Sequence, residues 1–291
     1  MLSALLKAMR PRQWMKNAVI FAAIVFDRQL TPDHLPEILR TIAGFVIFCL
    51  LSGVVYLIND IVDVEADRNH PEKRFRPIAS GRLPVSTARA ASVVLILTLF
   101  PLAYLLSPKF AAVSLAYLLL NLAYSQWIKH IPLLDVLSIA AGFLLRVAAG
   151  VVLIVVARFS PWLYVVVTLG ALYIGFGKRR AELALLADEA NSHRRVLDGY
   201  TIPLLDQYIT IVSATTIIAY SLYTFSAPDL PQNHAMMLTI PFVLYGIFRY
   251  LYLIKLTHRG GAPEEVLLSD WPLVSSILLW GLSVVFILYV M

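Results

Sequence analysis

The amino-acid sequence predicts an all-α, polytopic membrane protein with nine transmembrane helices. Of its 291 residues, 59% are hydrophobic and only 14% are charged, whereas a soluble domain usually carries about 25% charged residues. Most of the apolar residues fall into runs of roughly the 20 residues needed to cross a bilayer. Because these runs leave no sizeable segment for a soluble domain, residues 1–291 are predicted to form a single integral-membrane domain.

Nine apolar runs mark the predicted spans. The first follows a basic stretch, as in a signal peptide, but Asp27, Arg28 and Gln29 come after it without a small-residue cleavage site. It is therefore predicted to remain as the first helix. In chain order, the predicted spans cover about 12–28, 38–60, 88–106, 110–129, 133–157, 160–178, 203–226, 235–256 and 271–290.

Positive charge is distributed unevenly between the two ends of these spans. The N-terminal tail and the connections after even-numbered spans carry 18 Lys and Arg residues, and the opposite side carries four. The positive-inside rule then predicts a cytoplasmic N-terminus, an external C-terminus and an odd number of spans. Two connections on the cytoplasmic side, about 60–88 and 178–202, are longer than a turn requires, and such loops are usually functional. We therefore expect the active site on the cytoplasmic face.

Several functional classes are excluded at this stage. The net charge is +6, but the basic residues are confined to short segments between apolar runs, so nucleic-acid binding is not predicted. Cys49 is the only cysteine, which rules out an internal disulfide. The sequence has no metal-binding histidine spacing, no P-loop and no dinucleotide fingerprint.

Acidic residues crowd the cytoplasmic end of the second predicted span, in segment 59–67. If the helix continues, Asp60, Asp63 and Asp67 share one face, with Asn59 one turn from Asp63. Their mutual repulsion is tolerable when cations neutralise them, and hard oxygen ligands facing an open cavity suit Mg²⁺ bound to a phosphate-bearing substrate. The alternative is a solvated helix end without a ligand.

A basic segment follows immediately, from Arg68 to Gly81, and includes Lys73, Arg74 and Arg76. Acidic metal ligands followed by cations form a site for a diphosphate, because the metal bridges its oxygens and the cations take up the remaining charge. Membrane topology alone explains the cations but not the spacing of the adjoining aspartates.

The pattern Asn-Asp-x-x-Asp-x-x-x-Asp at 59–67, the Arg-Pro-x-x-Ser-Gly at 76–81 and the nine predicted helices resemble the UbiA superfamily of intramembrane prenyltransferases. The resemblance covers essentially the whole chain. It implies nine helices surrounding a central cavity open to the cytoplasm, with Asp60, Asp63 and Asp67 as catalytic Mg²⁺ ligands. Members typically hold the Mg²⁺ diphosphate of an allylic donor with two aspartate-rich motifs, one in each helical half.

The sequence departs from that family pattern in the 178–202 connection, where no Asp-x-x-x-Asp is present. Together with segments 10–17, 129–135 and 142–146, this departure is similar to the decaprenyl-phosphate phosphoribosyltransferase branch. Those enzymes move 5-phosphoribose from phosphoribosyl diphosphate to a polyprenyl phosphate. The resemblance implies synthesis of an arabinan precursor for a bacterial cell envelope, at the inner (plasma) membrane.

The loss of the second acidic motif is consistent with two phosphorylated substrates. A lipid phosphate and a ribose 5-phosphate each bring a charge of about −2 at neutral pH, so additional cations are expected to replace acidic metal ligands. Lys178 and Arg179 are the expected substrate-binding cations, with Glu182 beside them. A plain positive-inside anchor, and a Lys178–Glu182 pair at i, i+4, are the alternatives.

Four further residues are candidate substrate ligands. Arg146 lies near the middle of the fifth predicted span and is expected to line a polar cavity or to meet an anion or carboxylate; a structural ion pair is the alternative. Lys16 lies at the entrance of the first span. Tyr124 and Lys129 lie at the end of the fourth span, where an interfacial aromatic belt explains Tyr124 equally well.

The sequence-based hypothesis is a Mg²⁺-dependent transfer of phosphoribose to polyprenyl (decaprenyl) phosphate with release of pyrophosphate. Two alternatives stay open: a prenyltransferase with an aromatic acceptor, and a carrier that binds lipid phosphates without chemistry. The chain length and saturation of the lipid, and association into a homo-oligomer, are not determined by the sequence.

Overall fold

The computed structural model describes residues 1–156, 161–188, 195–227, 230–256, 266 and 269–291. All regular structure within these ranges is helical, with no β-strand. The predicted all-α class is therefore confirmed. Residues 157–160, where Arg158 was counted on the external side, and residues 189–194 of the long 178–202 connection lie outside the described residues.

Eleven α-helices are described. They are α1 (Leu2–Ala8), α2 (Ala22–Phe26), α3 (Leu35–Val62), α4 (Val64–Arg68), α5 (Val85–Leu106), α6 (Pro108–Gln126), α7 (Leu134–Val151), α8 (Pro161–Asp188), α9 (Ile202–Ser226), α10 (Ile240–Leu256) and α11 (Trp271–Val290). Short 3₁₀ helices occupy Pro32–His34, Lys73–Phe75, Ile128–His130, Arg195–Gly199 and Ala235–Thr239, and a longer one occupies Pro11–Phe21.

In the described part of the chain, seven helices are long and apolar enough to cross a membrane: α3, α5, α7, α8, α9, α10 and α11. Large apolar side chains remain exposed on them, for example Leu97 and Leu105 of α5, at 69% and 80%. Such exposure is what contact with lipid requires. The chain is a multi-pass membrane protein. Two of the nine predicted spans, which fall on the Pro11–Phe21 region and on α6, are not among these seven helices.

The first predicted span is not a continuous α-helix. Pro11–Phe21 is a 3₁₀ helix of 11 residues, whereas such runs rarely exceed three or four residues. Only the last turn, α2, is α-helical. Apolar periodicity over so short a segment does not distinguish three residues per turn from 3.6, so the sequence pattern did not indicate the tighter winding.

The sixth predicted span was ended too early, at residue 178. Helix α8 continues to Asp188, so Lys178, Arg179 and Glu182 lie on a helix and not in a loop. Segment 181–187 is rich in Ala, Leu and Glu, which are strong helix formers, and ion pairs at i, i+3 and i, i+4 add support. The predicted end at residue 178 marked the end of the apolar run, not the end of the helix.

The chain divides into two compact units. Unit 1 comprises Met1–Ile24, Gln29–Gln126 and Leu145–Val156. One of its core clusters contains Leu57, Ile78 and Leu83, each with at most 1% exposure. The loop after α4 is therefore packed against α3, and Gly81 turns the chain with a φ of 77° that a glycine adopts readily. This packing positions Arg76, two residues before Ile78.

Unit 2 comprises Val25–Arg28, Trp127–Leu144 and Ala157–Met291. Val136, Leu205, Ile209 and Ile254 are fully buried in one cluster, which packs α9 and α10 against the beginning of α7. Gly175 of α8 approaches this cluster closely, since a Cβ atom there would lie 2.6 Å from Val136 Cγ1. The close packing of α8 on α7 brings the cations of α8 to the start of α7.

Candidate active site

The acidic segment lies where α3 ends. The helix stops at Val62, Asp63 follows with φ −90° and ψ 8°, and α4 begins at Val64. Helical hydrogen bonds nevertheless bridge the break, since Asp63 N donates to Asn59 O at 2.9 Å and Asp67 N donates to Asp63 O at 2.8 Å. Asp60 and Asp67 are buried and Asp63 is half-buried.

Two arginines neutralise this segment. Arg76 Nη1 lies 3.2 Å from Asp60 Oδ1 and 2.7 Å from Asp67 Oδ2, and Arg10 Nη2 lies 2.6 Å from Asp60 Oδ1. We call these four residues the Asp60–Asp67 cluster. Arg10 precedes the first predicted span in the sequence, and Arg76 lies in the loop after α4. The repulsion expected from the sequence is thus relieved by ion pairs within unit 1.

Two oxygen atoms at this site have no hydrogen-bond partner. Asp60 Oδ2 and Asn59 Oδ1 are buried and unpaired within the described structure. Leaving such acceptors unsatisfied is costly, and a hard cation is the kind of ligand that satisfies them. The described residues hold no group of three His, Cys, Asp or Glu side chains able to bind a metal by themselves. Mg²⁺ fits a site of this kind, since it usually keeps several waters and shares the phosphates of a substrate.

The other predicted cations of the basic segment differ from Arg76. Lys73 and Arg74 are exposed, in the 3₁₀ helix Lys73–Phe75. The Arg74 guanidinium lies 4.9 Å from the centre of the Phe75 ring. Arg76, in contrast, is half-buried and contacts both Asp60 and Asp67.

Three further sequence candidates are half-buried. Lys16 lies in the 3₁₀ helix of unit 1, and Tyr124 lies near the end of α6 in the same unit. Next to Tyr124, Ser125 Oγ is buried without a hydrogen-bond partner in the described structure. Lys129 lies in the 3₁₀ helix Ile128–His130 and belongs to unit 2.

Arg146 is buried in unit 1 among neutral polar groups. Its Nε donates to Asn17 Oδ1 at 2.8 Å, and its Nη2 donates to Tyr117 OH at 2.9 Å. The guanidinium also lies 4.8 Å from the centre of the Tyr117 ring. Asn17 in turn donates to Ser52 Oγ at 3.2 Å. The sequence predicted a polar cavity, an anion or a carboxylate at Arg146, and it did not indicate these neutral partners.

In unit 2, Arg179 forms a buried ion pair. Its Nε lies 2.6 Å from Asp135 Oδ2, with side-chain exposures of 1% and 0%, and its Nη1 contacts Glu182 Oε2. Glu182 lies farther from Lys178, at 4.0 Å. The sequence-predicted substrate cation Arg179 is therefore held between two carboxylates, and Lys178, with a third of its side chain exposed, is the more accessible of the two cations.

Tyr200 completes this arrangement and was not indicated by the sequence. Its hydroxyl donates to Asp135 Oδ1 at 2.8 Å and accepts from Leu133 N at 2.6 Å. Burial raises the pKa of Tyr200 above its usual range, and the hydrogen bond to the Asp135 carboxylate raises it further. Leu133 has a φ of 67°, which is rare for a residue with a branched side chain. The turn before α7 is thus held by the same hydroxyl that orients Asp135.

The helices of each unit thus hold buried carboxylates that are paired with arginines, as Asp60 and Asp67 are in unit 1 and Asp135 is in unit 2. The chain belongs to the UbiA prenyltransferase family, whose family model matches residues 18–269.

Similar proteins support this assignment over nearly the full chain. The chain is 36% identical to a decaprenyl-phosphate phosphoribosyltransferase of Corynebacterium glutamicum, covering 99% of this chain and 87% of that protein. It is 33% identical to the protein of the same name from Mycobacterium tuberculosis, covering 96% and 92%. A UbiA homolog from Archaeoglobus fulgidus bound to GPP and Mg²⁺ shares the fold, with a TM-score of 0.72 at 16% identity and 97% coverage of both chains.

Proposed function

We propose that this protein is a pentosyltransferase that moves 5-phosphoribose from phosphoribosyl diphosphate to a polyprenyl phosphate and releases pyrophosphate. The observation that carries the proposal is the Asp60–Asp67 cluster, with two unpaired acceptor oxygens beside buried carboxylates. The similarity to proteins named decaprenyl-phosphate phosphoribosyltransferase over nearly the whole chain supports the choice of substrates.

In this proposal, Asn59, Asp60, Asp63 and Asp67 hold Mg²⁺ at the diphosphate of the donor. When bound, Mg²⁺ supplies positive charge that stabilises the departing pyrophosphate. Arg76 already contacts two of these carboxylates, and it remains beside them to bind diphosphate oxygens. Lys73 and Arg74 are exposed on the same loop and attract the anionic substrate to it.

The acceptor needs little activation. A phosphate monoester is already ionised near pH 7, so no general base is required, and the ribose develops positive charge at C1 as its bond to the diphosphate breaks. In-line attack by the lipid phosphate would invert C1. Lys16, Tyr124, Lys129, Arg146 and Lys178, together with Arg179 and Glu182, are proposed to bind the two substrates or to position the groups that do.

Arg179 is proposed to act through its neighbours. Because Asp135 and Glu182 already compensate its charge, it does not present a free cation to a phosphate. It is better suited to holding Glu182 in place on α8, where Glu182 lies 4.0 Å from Lys178. Lys178 would then be the phosphate-binding member of this group.

The membrane arrangement is part of the same proposal. We propose nine spans in the inner membrane of a bacterium, with the N-terminus and the Asp60–Asp67 cluster on the cytoplasmic side and the C-terminus outside, following the asymmetry of basic residues. Cysteine-accessibility labelling at Lys7 and Met291 in intact cells tests this orientation. Labelling of Met291→Cys, but not of Lys7→Cys, by an impermeant reagent is the expected result.

The catalytic test is pyrophosphate release by the purified protein with Mg²⁺. One reaction contains phosphoribosyl diphosphate and a polyprenyl phosphate, and another contains an allylic diphosphate and 4-hydroxybenzoate. Release with lipid product only in the first is expected. Release only in the second would identify an aromatic prenyltransferase, and binding without release would identify a carrier.

A matched pair of variants tests the site. Asp60→Asn keeps the size of the side chain but removes the buried carboxylate, and turnover should fall by about a hundredfold to a thousandfold, as expected when a charge-stabilising group at the reacting centre is lost. Glu65→Gln removes an acid in the same segment that is paired with Arg68 at the surface and should change turnover little. Equal activity of the two variants would remove the cluster from the reaction.

A further inference from the structure

Arg10 has an unusual backbone conformation at the Asp60–Asp67 cluster. Its φ and ψ are 53° and 65°, in the left-handed region, which costs free energy for any residue with a Cβ atom. It lies immediately before Pro11 and the long 3₁₀ helix. A strained residue persists only when its surroundings hold it in place, and such residues concentrate at functional sites.

The side chain of Arg10 is held by two contacts on α3. Its Nη2 lies 2.6 Å from Asp60 Oδ1, and its guanidinium lies 4.7 Å from the centre of the Tyr56 ring. Tyr56 and Asp60 are four residues apart, so both contacts lie on one face of the helix. The Arg10 side chain nevertheless remains 31% exposed, so it is not enclosed by these contacts.

The contacts of Asp60 are unequal. Arg10 and Arg76 both bind Oδ1, whereas Oδ2 is buried without a partner. A guanidinium has five N–H donors in a rigid fork that matches phosphate geometry. Arg10 therefore has donors to offer a second anion while it contacts the carboxylate, and that anion would lie beside the unpaired Asp60 oxygen.

We propose that Arg10 is a diphosphate-binding residue, held in position by its left-handed backbone, the Tyr56 ring and Asp60. This role rests on the proposed function. It makes Arg10, which precedes the first predicted span, part of the proposed donor site. Without substrate, the positive charge of Arg10, and not a metal ion, compensates the Asp60 carboxylate. When the magnesium diphosphate binds, the same guanidinium contacts diphosphate oxygens.

This role predicts that Arg10→Gln changes the affinities for two ligands in opposite directions. Arg10→Gln removes a positive charge next to Asp60, so Mg²⁺ alone should bind severalfold more tightly, because like charges no longer compete for the carboxylate. Magnesium pyrophosphate should bind about tenfold to a hundredfold more weakly, which is the range expected for losing a charge-assisted hydrogen bond. If Arg10 only stabilised the fold, Arg10→Gln would weaken the binding of both ligands.

The test is isothermal titration of the purified full-length protein in detergent with MgCl₂ and, separately, with magnesium pyrophosphate. Arg10→Lys keeps the positive charge but lacks the forked guanidinium. Its affinity for magnesium pyrophosphate should lie between those of the wild type and Arg10→Gln. Arg12→Gln is the matched control, since Arg12 is exposed two residues further on, and it should bind both ligands like the wild type.

The outcomes separate this inference from the proposed function. If the wild type binds magnesium pyrophosphate and Arg10→Gln binds it equally well, or loses both ligands together, the role of Arg10 is refuted while the proposed function stands. If the wild type binds no magnesium pyrophosphate and releases none from phosphoribosyl diphosphate, both are refuted.

Discussion

The buried pair formed by Arg179 and Asp135 leads to a quantitative prediction for Arg179→Leu. This substitution leaves the Asp135 carboxylate fully buried, with the Tyr200 hydroxyl 2.8 Å away as its remaining described partner. Removing one member of a buried pair typically costs about 3–5 kcal/mol, because an uncompensated charge stays in a medium of low polarity. With side-chain exposures of 1% and 0%, solvent screening does not reduce this value substantially.

The double variant with Asp135→Leu and Arg179→Leu removes both charges of the buried pair, and Glu182, with 22% of its side chain exposed, keeps Lys178 at 4.0 Å. Replacing a buried pair by apolar residues is often neutral, so this variant should regain most of the lost stability. Lys178→Leu is the control on the same helix, and because Lys178 is a third exposed and lies 4.0 Å from Glu182, it should cost less than about 1 kcal/mol.

The assay is reversible unfolding in mixed micelles, followed by the fluorescence of the tryptophan residues, with the free energy of unfolding extrapolated to zero denaturant. A loss below about 1 kcal/mol for Arg179→Leu, or a double variant as unstable as the sum of the two single variants, would refute the reasoning. Either result would mean that the two charges are not compensated by each other.

Two further predictions concern backbone contact and pH. A Cβ atom at Gly150 would lie 2.0 Å from Ile20 O, whereas one at Gly170 would meet nothing within 4 Å. Gly150→Ala should therefore destabilise the protein by about 1–3 kcal/mol, and Gly170→Ala should stabilise it slightly. Equal unfolding midpoints of the two variants would contradict this prediction. The raised pKa of Tyr200 contributes stability below about pH 10 that is lost as the pH rises through the folded-state value. Stability measured at about pH 9 and about pH 11 should thus fall more in the wild type than in Tyr200→Phe, and parallel losses would contradict this.

Much of the Asp60–Asp67 cluster could be predicted because its signal is local in sequence. The spacing of Asp60, Asp63 and Asp67 needs only the geometry of one helix end, and Arg76 follows within ten residues of Asp67. Local hydrogen bonds preserve that geometry even though α3 stops at Val62. The ion pairs of Arg76 join residues that are 9 and 16 positions apart, so a prediction from one short segment was sufficient.

The remaining contacts depend on pairings between distant segments. Arg10 and Asp60 are 50 positions apart, and Asp135 and Arg179 are 44 apart. Hydrophobic periodicity carries no information about which charged groups meet across helices. For the same reason, the sequence assigned Arg179 to a phosphate, because nothing near it in the chain indicated that Asp135 would already compensate its charge.

The order of the Arg146 contacts has a consequence for biogenesis. Arginine in the middle of an inserting helix opposes partition from the translocon by about 2.5–3.5 kcal/mol. Two hydrogen-bond partners of Arg146, Asn17 and Tyr117, precede it in the chain and leave the ribosome before it. Helix α7 can therefore enter the bilayer against segments that already offer acceptors for its guanidinium. We therefore expect α7 to fail to insert, and to be translocated across the membrane, more often in a chain that lacks the segment of Asn17 than in the intact chain. An in vitro translation and translocation assay measures this difference.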